Sequence, residues 1–538
     1  MVSRVGERNP IHCGACASDV AWSTINAGEA LPGVVTPLTW SFFGDNVERA
    51  MRGAFADMGV LKESECSAPF GPETRLWDLF YGRAAGNLNT FRWLGDRTPG
   101  TSGAAVEEQI FGAVRDGIES KPDRSRYVNV ALKMPVNAFR VKGRLAAEVA
   151  DITPWWRTSV GPQAPADLVA ATDMLRDAWQ RHERVMRPHT LAAMLCQGLY
   201  DQIKALAAAA GKPGLETSLV TGYGDMAETE VVADLWAVSR DRLSLDEFVL
   251  RHGFHGPNEG ELSARTWRMR REPLERLVVH YRGMDDTRDP RVIETARGDE
   301  RRRAEAELLA ALPALRRKPA QLVLGVAARL IPLRGVGKAA FLRCSDVGRT
   351  AARVIGAELA AQGVLEDPED VFMFTIDELL RPDLRDREWG VIAERRATRA
   401  EYKQLDVPEF WDGMPEPFPV ATGAERAEVA VTGAAVSPGV VEGVARLILD
   451  PDGDDDLEPG EILVCRTTDP SWASLMMVAS ALVIDIGGPI SHGAIVAREL
   501  GIPCVTGTRT GTSAIRTGDR LRVDGGAGTV EILDRVRD

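Results

Sequence analysis

The order of apolar and polar positions along residues 481–507 predicts a strand, a glycine-rich turn, a helix and a second strand. The first apolar run has the length of a strand and is broken at Gly487 and Gly488. From Ser491 the apolar spacing is helical as far as Leu500, and another short apolar run of strand type follows. The predicted helix therefore begins directly after a turn that carries two glycines.

His492 lies in the first turn of this predicted helix. Free backbone N–H groups and the positive end of the helix dipole favour an anion at such a place. Gly487, Gly488 and Gly493 keep other side chains away from its imidazole. A neutral imidazole, whose unperturbed pKa is about 6.5, is a competent nucleophile near neutral pH. His492 is therefore a candidate carrier of a phosphoryl group, and a purely structural histidine is the alternative.

The rest of the chain divides into helical stretches and loops that are rich in glycine. Helical spacing with little internal glycine or proline predicts long packed helices over residues 165–210. Residues 22–41 mix glycine and proline with tryptophan and leucine, and they predict a structured loop. Residues 81–89 and 95–101 repeat a mixture of glycine, arginine and asparagine beside aromatic side chains. Such loops often carry binding groups, although the first of them could simply pack a helix against the bundle.

Residues 251–262 concentrate titratable groups between two helical stretches. Two histidines, two glutamates and three glycines occur in these twelve residues, which is more than a plain connector needs. We predict that His255 and Glu259 line a binding pocket, and the alternative is a buried hydrogen-bond cluster that holds helices together. The segment has no helical His-Glu-x-x-His arrangement, so metal binding is not favoured here.

Residues 334–339 have the glycines and the lysine of a phosphate-binding loop, but the spacing is wrong. The first glycine of such a loop would stand at the position of Pro332. Ala339 stands where a serine or threonine should follow Lys338. The segment is therefore predicted to be a junction between helices.

Composition and charge exclude several classes of protein. A chain of 538 residues has room for about two to four domains, and 44% hydrophobic with 27% charged residues describes an ordinary soluble protein. The formal net charge of −13 argues against a nucleic acid as the main partner. No apolar run approaches about 18 residues, and the N-terminus lacks the pattern of a signal sequence. We therefore expect no membrane association and a cytoplasmic location.

The cysteines fit reduced thiols and no metal site. Seven cysteines are an odd number and are scattered over the chain, which does not suit a disulfide framework. His12, Cys13 and Cys16 lie close together, but no second ligand pair follows them at a suitable spacing. We expect no bound metal.

A proline-rich stretch, residues 405–426, separates two regions of different composition. Its four prolines predict a semi-rigid linker. The sequence before the linker is mainly helical in pattern, whereas the sequence after it alternates short Val, Ile and Leu runs with glycine-rich turns. We predict two domains, residues 1–426 with the linker at their end and residues 427–538.

Spaced motifs in the C-terminal region resemble a known domain. They are Ser437-Pro438-Gly439, Gly443, Thr468-Asp469-Pro470-Ser471-Trp472, Gly487-Gly488, Ser491-His492, Ala497-Arg498-Glu499, Gly501-Ile502-Pro503 and Val523-Asp524-Gly525. Together they resemble the swivelling phosphohistidine domain of the PEP synthase and pyruvate phosphate dikinase superfamily, in the variant seen in rifampicin phosphotransferases. Asp485 stands where that family often has glutamate.

The resemblance implies a multidomain protein, in which a large, mainly α-helical domain precedes a small α/β swivelling domain of the β/β/α type. It implies that His492 is the catalytic residue and that Gly488, Ser491 and Gly493 bind the phosphoryl group. Parts of the N-terminal region resemble the helical substrate-binding domain of rifampicin phosphotransferases. The candidate substrate-binding residues there are Trp40, Arg83, His255, Glu259 and Arg265.

Nothing in the sequence resembles the ATP-grasp domain or the phosphoenolpyruvate-binding barrel of the wider superfamily, so we expect no cofactor on this chain. The arrangement is similar to phenylphosphate synthase, in which the ATP-binding and histidine-bearing parts are separate chains. We therefore expect a phosphotransferase component: an ATP-grasp subunit in trans, with ATP and Mg, charges His492, and the helical domain presents an organic hydroxyl group. The alternative is a binding protein, or a non-phosphorylating enzyme such as a dehydratase, that uses His492 as acid or base.

Overall fold

The structure is a computed structural model. It describes residues 10–12, 16–67, 71, 73–112, 114–115, 117–161, 164, 167–224, 226–385, 389–419, 430–449, 457–468, 472–488 and 491–536.

Most of the regular structure before residue 405 is helical, and many helices begin at a residue that favours helix initiation. Thr36 caps the second helix and Ser491 caps the seventeenth. In chain order the α-helices of the described residues are α1 (Ile25–Ala30), α2 (Pro37–Met58), α3 (Leu88–Asp96), α4 (Gly103–Phe111), α5 (Tyr127–Ser159), α6 (Leu168–Ala209), α7 (Leu215–Leu219), α8 (Ala227–Ser239), α9 (Leu245–His252), α10 (Glu272–Arg282), α11 (Pro290–Ala311), α12 (Ala314–Leu330), α13 (Leu333–Ala361), α14 (Ile376–Leu379), α15 (Val391–Tyr402), α16 (Trp472–Met476), α17 (His492–Leu500) and α18 (Gly511–Ala514).

The strands are concentrated at the C-terminal end of the chain. In chain order those of the described residues are β1 (Ala21–Ser23), β2 (Trp77–Phe80), β3 (Arg83–Asn87), β4 (Leu405–Asp406), β5 (Phe410–Asp412), β6 (Phe418–Pro419), β7 (Ala430–Thr432), β8 (Ala434–Ser437), β9 (Val440–Leu447), β10 (Ile462–Cys465), β11 (Ala481–Ile484), β12 (Cys504–Thr506), β13 (Arg520–Asp524) and β14 (Thr529–Asp534).

The chain divides into two compact units that interleave along the sequence. Unit 1 consists of Met1–Leu191, Gly260–Ala264 and Ala340–Ala421. It contains an antiparallel sheet in the order β2-β3-β1-β5 and the two-stranded pair β4-β6. A polar network is buried within it, because the Glu261 carboxylate accepts hydrogen bonds from the Thr36 hydroxyl.

Unit 2 consists of Ala192–Glu259, Arg265–Ala339 and Thr422–Asp538. Its eight-stranded sheet has the order β7-β14-β13-β9-β10-β11-β12-β8, with β9 to β12 parallel and the remaining pairs antiparallel. One apolar core joins side chains of β10, β11, α16 and α17 to side chains of α8, α9 and α10. A second core contains side chains of β9 to β14 together with Ala514 and Ile515. The α/β region and the helical segments of unit 2 therefore share a core.

The predicted fold class is confirmed, because a large helical region precedes a small C-terminal α/β region. The predicted boundary between residues 426 and 427 lies outside the described residues. The division into residues 1–426 and 427–538 therefore stays a prediction.

The loop predicted over residues 22–41 is largely regular structure. The segment contains the end of β1, all of α1 and the start of α2. Pro37 does not break α2 because it is the first helical residue, where a missing N–H has no intrahelical partner to lose. The prediction of long helices over residues 165–210 is confirmed by α6, which runs through 42 residues.

One helical stretch in the part of the chain that the structure describes, Ala314–Ala361, passes a test of length and apolar composition for crossing a membrane. Core helices of soluble proteins pass the same test, and this single stretch is weak support for a membrane role. The expected cytoplasmic location and the absence of membrane association stay predictions.

Candidate active site

The helix that begins at His492 connects two parallel strands. β11 leads into a turn, α17 follows, and β12 pairs with β11 in parallel. Ser491 is the N-cap, and its Oγ accepts a hydrogen bond from the Ala494 N–H at 3.3 Å. The helix predicted from the sequence is thereby confirmed. His492 follows the carboxyl end of β11, which is the edge where α/β sheets generally bind ligands.

Hydroxyl groups lie close to the backbone of this turn. A Cβ on Gly487, where φ is +154°, would lie 2.6 Å from Thr506 Oγ1 and 2.9 Å from Ser491 Oγ. A Cβ on Gly493 would lie 2.8 Å from Thr468 Oγ1. Glycine is therefore needed at both positions. No described residue offers the buried Thr506 Oγ1 a hydrogen-bond partner.

The three predicted phosphate-binding residues lie in this turn or in the first turn of α17. Ser491 is the cap, Gly493 is the second residue of the helix, and a Cβ on Gly488 would meet open space within 4 Å. Open space beside the backbone suits the approach of an anion to free N–H groups. Phosphate binding by Gly488, Ser491 and Gly493 stays a prediction.

Asp485 connects the end of β11 to the loop that follows β12 and to α18 through hydrogen bonds. Its carboxylate accepts hydrogen bonds from Thr508 Oγ1 at 2.6 Å, from the Thr512 N–H at 3.1 Å and from the Thr512 hydroxyl. A Cβ on Gly511 would lie 2.8 Å from Asp485 Oδ1, so the packing leaves little room around this carboxylate. The short aspartate side chain of Asp485 therefore fits at this position, at which the resembling family often has the longer glutamate.

The imidazole of His492 is buried and electrically neutral. The residue is 5% exposed, and burial is the main cause that lowers its pKa well below the ordinary value of 6.5. The positive charges of Lys338 and Arg334, and of His255 when it is protonated, lower this pKa further, in that order. Near pH 7 the ring is therefore in the nucleophilic form.

Lys338 and Arg334 are the residues that sequence reasoning missed. Both lie in the first two turns of α13, four residues apart and therefore on the same face of the helix. The junction between helices predicted for residues 334–339 is wrong in position, because these residues lie inside α13 and the junction with α12 comes before Leu333. Two cations at this spacing on a helix usually form a solvated face, and nothing in the sequence indicates that they lie near His492.

His255 and Glu259 form a buried pair next to these cations. His255 Nδ1 lies 2.8 Å from Glu259 Oε2, and the two residues are 5% and 3% exposed. Lys338 Nζ lies 3.4 Å from Glu259 Oε1. The Glu259 carboxylate, hydrogen-bonded to His255 and ion-paired with Lys338, holds the histidine and the lysine in one cluster whose positive charges act on His492. Their predicted role in binding a substrate stays a prediction.

A buried acid anchors the other end of α17. Both carboxylate oxygens of Glu499 lie 3.1 Å from the Gly222 N–H, which donates to them. Burial raises the pKa of Glu499 to about 7, against the opposing effects of this hydrogen bond and of Arg498 and Arg297. The helix that carries His492 is thus fixed to the loop between α7 and α8.

The other predicted substrate-binding residues lie in different surroundings. Trp40 is half-buried on α2, with its ring 3.0 Å from the place of a Cβ on Gly44. The Arg83 guanidinium donates to the Tyr402 carbonyl at 3.2 Å and pairs with Asp406 at 3.1 Å. Both residues belong to unit 1, whereas Arg265 is exposed in unit 2. Substrate binding by Trp40, Arg83 and Arg265 stays a prediction.

Among the residues that the structure describes, no group of three or more His, Cys, Asp or Glu side chains is arranged to hold a metal ion. Cys13 lies outside those residues. Cys16 Sγ accepts from Trp22 Nε1 at 3.1 Å, and His12 Nδ1 accepts from the Tyr81 N–H at 3.0 Å. That no metal binds stays a prediction.

Two family models match the chain in the regions that form this cluster. Residues 457–528 match the PEP-utilising enzyme, mobile domain, and residues 201–335 match the Rifampicin phosphotransferase fourth domain. The first match contains His492, and the second contains His255 and Glu259. Residues 457–528 are therefore similar to the mobile domain of PEP-utilising enzymes, and residues 201–335 are similar to a domain of rifampicin phosphotransferases. The resemblance found in the sequence is confirmed.

Several curated relatives share part of the chain. An uncharacterised protein of Mycobacterium tuberculosis is 32% identical over 285 residues, which are 52% of this chain and 30% of that protein. Rifampicin phosphotransferase of Streptomyces sviceus is 41% identical over 181 residues, 32% of this chain and 20% of that protein. Rifampicin phosphotransferase of Bacillus subtilis is 36% identical over 181 residues, 33% of this chain and 20% of that protein. The chain thus spans only 20 to 30% of the length of these relatives.

Proposed function

We propose that this chain is a phosphotransferase component in which His492 accepts a phosphoryl group and passes it to a hydroxyl group of a small organic acceptor. The observation that carries the proposal is a buried, neutral imidazole at the N-terminus of α17, with Lys338 and Arg334 near enough to act on it. The matches to a PEP-utilising mobile domain and to rifampicin phosphotransferases support this class of reaction.

The surroundings of His492 suit both halves of such a reaction. In the first half the neutral ring attacks phosphorus, the bond between phosphorus and the donor oxygen breaks, and the departing oxygen takes up the ring's N–H proton. The negative charge of the bound phosphoryl group is balanced by the two cations and by N–H groups of the helix start. In the second half the bond between phosphorus and the ring nitrogen breaks, the nitrogen keeps the electron pair, and the ring becomes neutral imidazole by taking up the proton that the acceptor hydroxyl loses. Because burial and neighbouring charges disfavour a proton on His492, its basicity is low, which eases that departure.

The phosphoryl donor in this proposal is an ATP-grasp protein, with ATP and Mg²⁺ bound to it, that is not part of these 538 residues. The rifampicin phosphotransferases are several times longer than the segment they share with this chain, which leaves room in them for a nucleotide-binding domain. A donor in trans would supply the same chemistry here. The acceptor is proposed to bind beside His255 and Glu259.

Reaching a separate donor requires the α/β region of unit 2 to move. In the structure it packs on α8 and α10 through apolar side chains, and the Tyr281 hydroxyl donates to the Ser474 carbonyl at 2.8 Å. We propose that this contact opens while His492 is charged and closes for transfer. Domain motions of this kind usually take microseconds to milliseconds.

Labelling with phosphoryl-labelled ATP tests the proposal. The chain is incubated with this ATP and an ATP-grasp protein encoded near its gene, and the label is located by mass spectrometry. We expect an acid-labile label on His492 in the wild type and none in His492→Ala, while His182→Ala, which removes a buried histidine of unit 1, keeps the label. Labelling that survives in His492→Ala, or ATP hydrolysis by this chain alone, would overturn the assignment.

A further inference from the structure

The histidine and the glutamate of the loop after α9 have the arrangement of a general base and its orienting carboxylate. His255 Nδ1 lies 2.8 Å from Glu259 Oε2. Since a carboxylate only accepts, Nδ1 carries the hydrogen and donates it, which leaves Nε2 as the basic nitrogen of the neutral ring. Both residues are buried, so this orientation is held by packing as well as by the hydrogen bond.

Packing joins this pair to the apolar core that also receives side chains of the helix carrying His492. The rings of His255 and Trp267 are 5.9 Å apart, and the Trp267 N–H donates to the His255 carbonyl at 2.8 Å. Trp267 belongs to the same apolar core as Ala494 and Ala497, which lie two and five residues after His492 on α17. When His255 is protonated, its charge acts on His492.

We propose that His255 is the catalytic base that takes the proton from the acceptor hydroxyl during transfer from His492, and that Glu259 is its positioning residue. The inference rests on the proposed function and deepens it, because it assigns the proton of the second half-reaction. The acceptor is then an alcohol or phenol, whose hydroxyl carries a proton that must be removed.

The atoms and charges of this step balance within the cluster. The acceptor oxygen forms a bond to phosphorus, the bond between phosphorus and the His492 nitrogen breaks, and that nitrogen keeps the electron pair. The hydroxyl proton goes first to His255 Nε2. The phosphorylated ring of His492 bears no N–H, whereas the neutral product ring bears one, so the proton finally passes to His492. His255 returns to its neutral form, and no other reactant is needed.

Glu259 also links the base to the phosphoryl site. Its second oxygen, Oε1, lies 3.4 Å from Lys338 Nζ, so a single carboxylate orients the base and holds a cation that acts on His492. The negative charge of Glu259 stabilises the protonated ring that exists during transfer, in the way that a buried carboxylate supports a catalytic histidine.

The same unit contains a second histidine and carboxylate pair that serves as a matched control. His252 Nε2 lies 2.9 Å from Asp234 Oδ2, and the two residues are 8% and 9% exposed. Like His255 and Glu259, they are a buried histidine and an acid of unit 2. In the described part of the chain, the charges that lower the pKa of His492 are those of Lys338, Arg334 and His255, and His252 is not one of them.

The test separates charging from transfer by using a chemical donor. The chain is charged on His492 with phosphoramidate, and the loss of the phosphoryl group to water and to added ethanol is followed as a function of pH. We expect the rate of transfer to rise with pH and then level off as the base loses its proton. His255→Gln should lower the rate by about 10² to 10⁴-fold and flatten the profile, without changing the extent of charging.

Glu259→Gln keeps the shape of the side chain and removes its charge. We expect a smaller loss of rate and a midpoint that moves to lower pH, because without the carboxylate the protonated ring is less stable. A purely structural role would not move this midpoint, so the variant decides the question even when His255→Gln does not fold. His252→Gln should leave both rate and midpoint unchanged.

The possible failures can be told apart. If His492 is charged normally and His255→Gln transfers with the wild-type rate and profile, the base assignment is wrong and the proposed function stands. If His492 is charged neither by phosphoramidate nor by the ATP-grasp protein, the proposed function fails, and the role of His255 fails with it.

Discussion

The two units each bury a histidine, and the difference between these histidines shows what makes one of them reactive. In unit 1 His182 is fully buried, and burial lowers its pKa to about 3, with a smaller effect from His189. In unit 2 burial also lowers the pKa of His492. Both rings are therefore neutral near pH 7, and their protonation state alone does not distinguish them.

Their neighbours do distinguish them. The ring centroids of Phe42 and Phe43 lie 5.0 Å and 4.6 Å from that of His182, and Asn46 Nδ2 donates to its Nδ1 at 3.3 Å. A phosphoryl group among these aromatic rings would have little to compensate its charge. His492 instead lies at a helix N-terminus with the charges of Lys338 and other cations acting on it. Burial keeps the His492 imidazole neutral and therefore nucleophilic, and the positive charges that act on it would stabilise a phosphoryl group bound to the ring.

The largest expected effect is on the rates of phosphoryl transfer, when the cations near His492 are removed so that its surroundings resemble those of His182. Lys338→Met and Arg334→Met should each lower the rate of charging and of transfer by about 10² to 10³-fold, because each removes a positive charge that stabilises the phosphoryl group. Stopped-flow or quench-flow phosphorylation with the donor protein measures both rates. Lys338→Arg keeps the charge and should retain most of the activity. Rates in the two Met variants within twofold of the wild type would show that the cations are not part of the site.

The contrast between local and distant partners also decides what the sequence could predict. The glycine turn, the Ser491 cap and the helical spacing after it lie within a dozen residues, so the start of α17 and the position of His492 were predictable. His255 and Glu259 were recognisable as a dense group of titratable residues. Their 2.8 Å hydrogen bond needed the structure, because a turn sets it.

The proximity of Lys338 and Arg334 to His492 could not be predicted from the sequence, for a physical reason. Their sequence positions fix only a helix face, and the contact with His492 arises from tertiary packing within unit 2. The prediction of a loop over residues 22–41 was wrong because their glycines and prolines were taken as helix breakers. Pro37 at a first helical position and Gly44 beneath the Trp40 ring are both compatible with α2.

The next largest expected effect is on the pH dependence of the free energy of unfolding, to which His182 of unit 1 contributes. Below pH 6.5 the unfolded chain binds a proton at His182 that the folded chain does not bind until about pH 3, so the free energy of unfolding falls as pH falls. By pH 4 this cost reaches about 3 kcal/mol. His182→Gln stays neutral and can still accept from Asn46, so it should lose this part of the pH dependence. Urea unfolding between pH 4 and pH 7.5 measures it, and parallel curves for the two proteins would contradict the prediction.

Glu499, at the C-terminal end of α17, should have a smaller effect of opposite sign on the pH dependence of stability. Glu499 keeps its proton in the folded chain up to about pH 7, whereas the unfolded chain releases it near pH 4.5, so stability falls as pH rises between these values. From pH 5.5 to pH 7 the loss is about 2 kcal/mol. Glu499→Gln keeps an oxygen for the Gly222 N–H and should remove this loss. Thermal unfolding of both proteins at the two pH values checks it, with Glu305→Gln, a change on α11, as control.

The smallest expected effect tests whether Arg83 in unit 1 is an anchor or a substrate ligand. Its guanidinium pairs with Asp406 and donates to the carbonyls of Tyr402 and Leu405, so it fastens β3 to the end of α15 and to β4. Arg83→Lys retains the charge for Asp406 but loses the forked donors, which should cost about 1 kcal/mol in the free energy of unfolding. Since these partners all belong to unit 1, charging of His492 by phosphoramidate should remain at the wild-type rate. If instead the unfolding free energy is unchanged and transfer to the true acceptor slows more than tenfold, Arg83 binds the substrate as the sequence predicts, and its contacts with Asp406 and the two carbonyls give way when the acceptor binds.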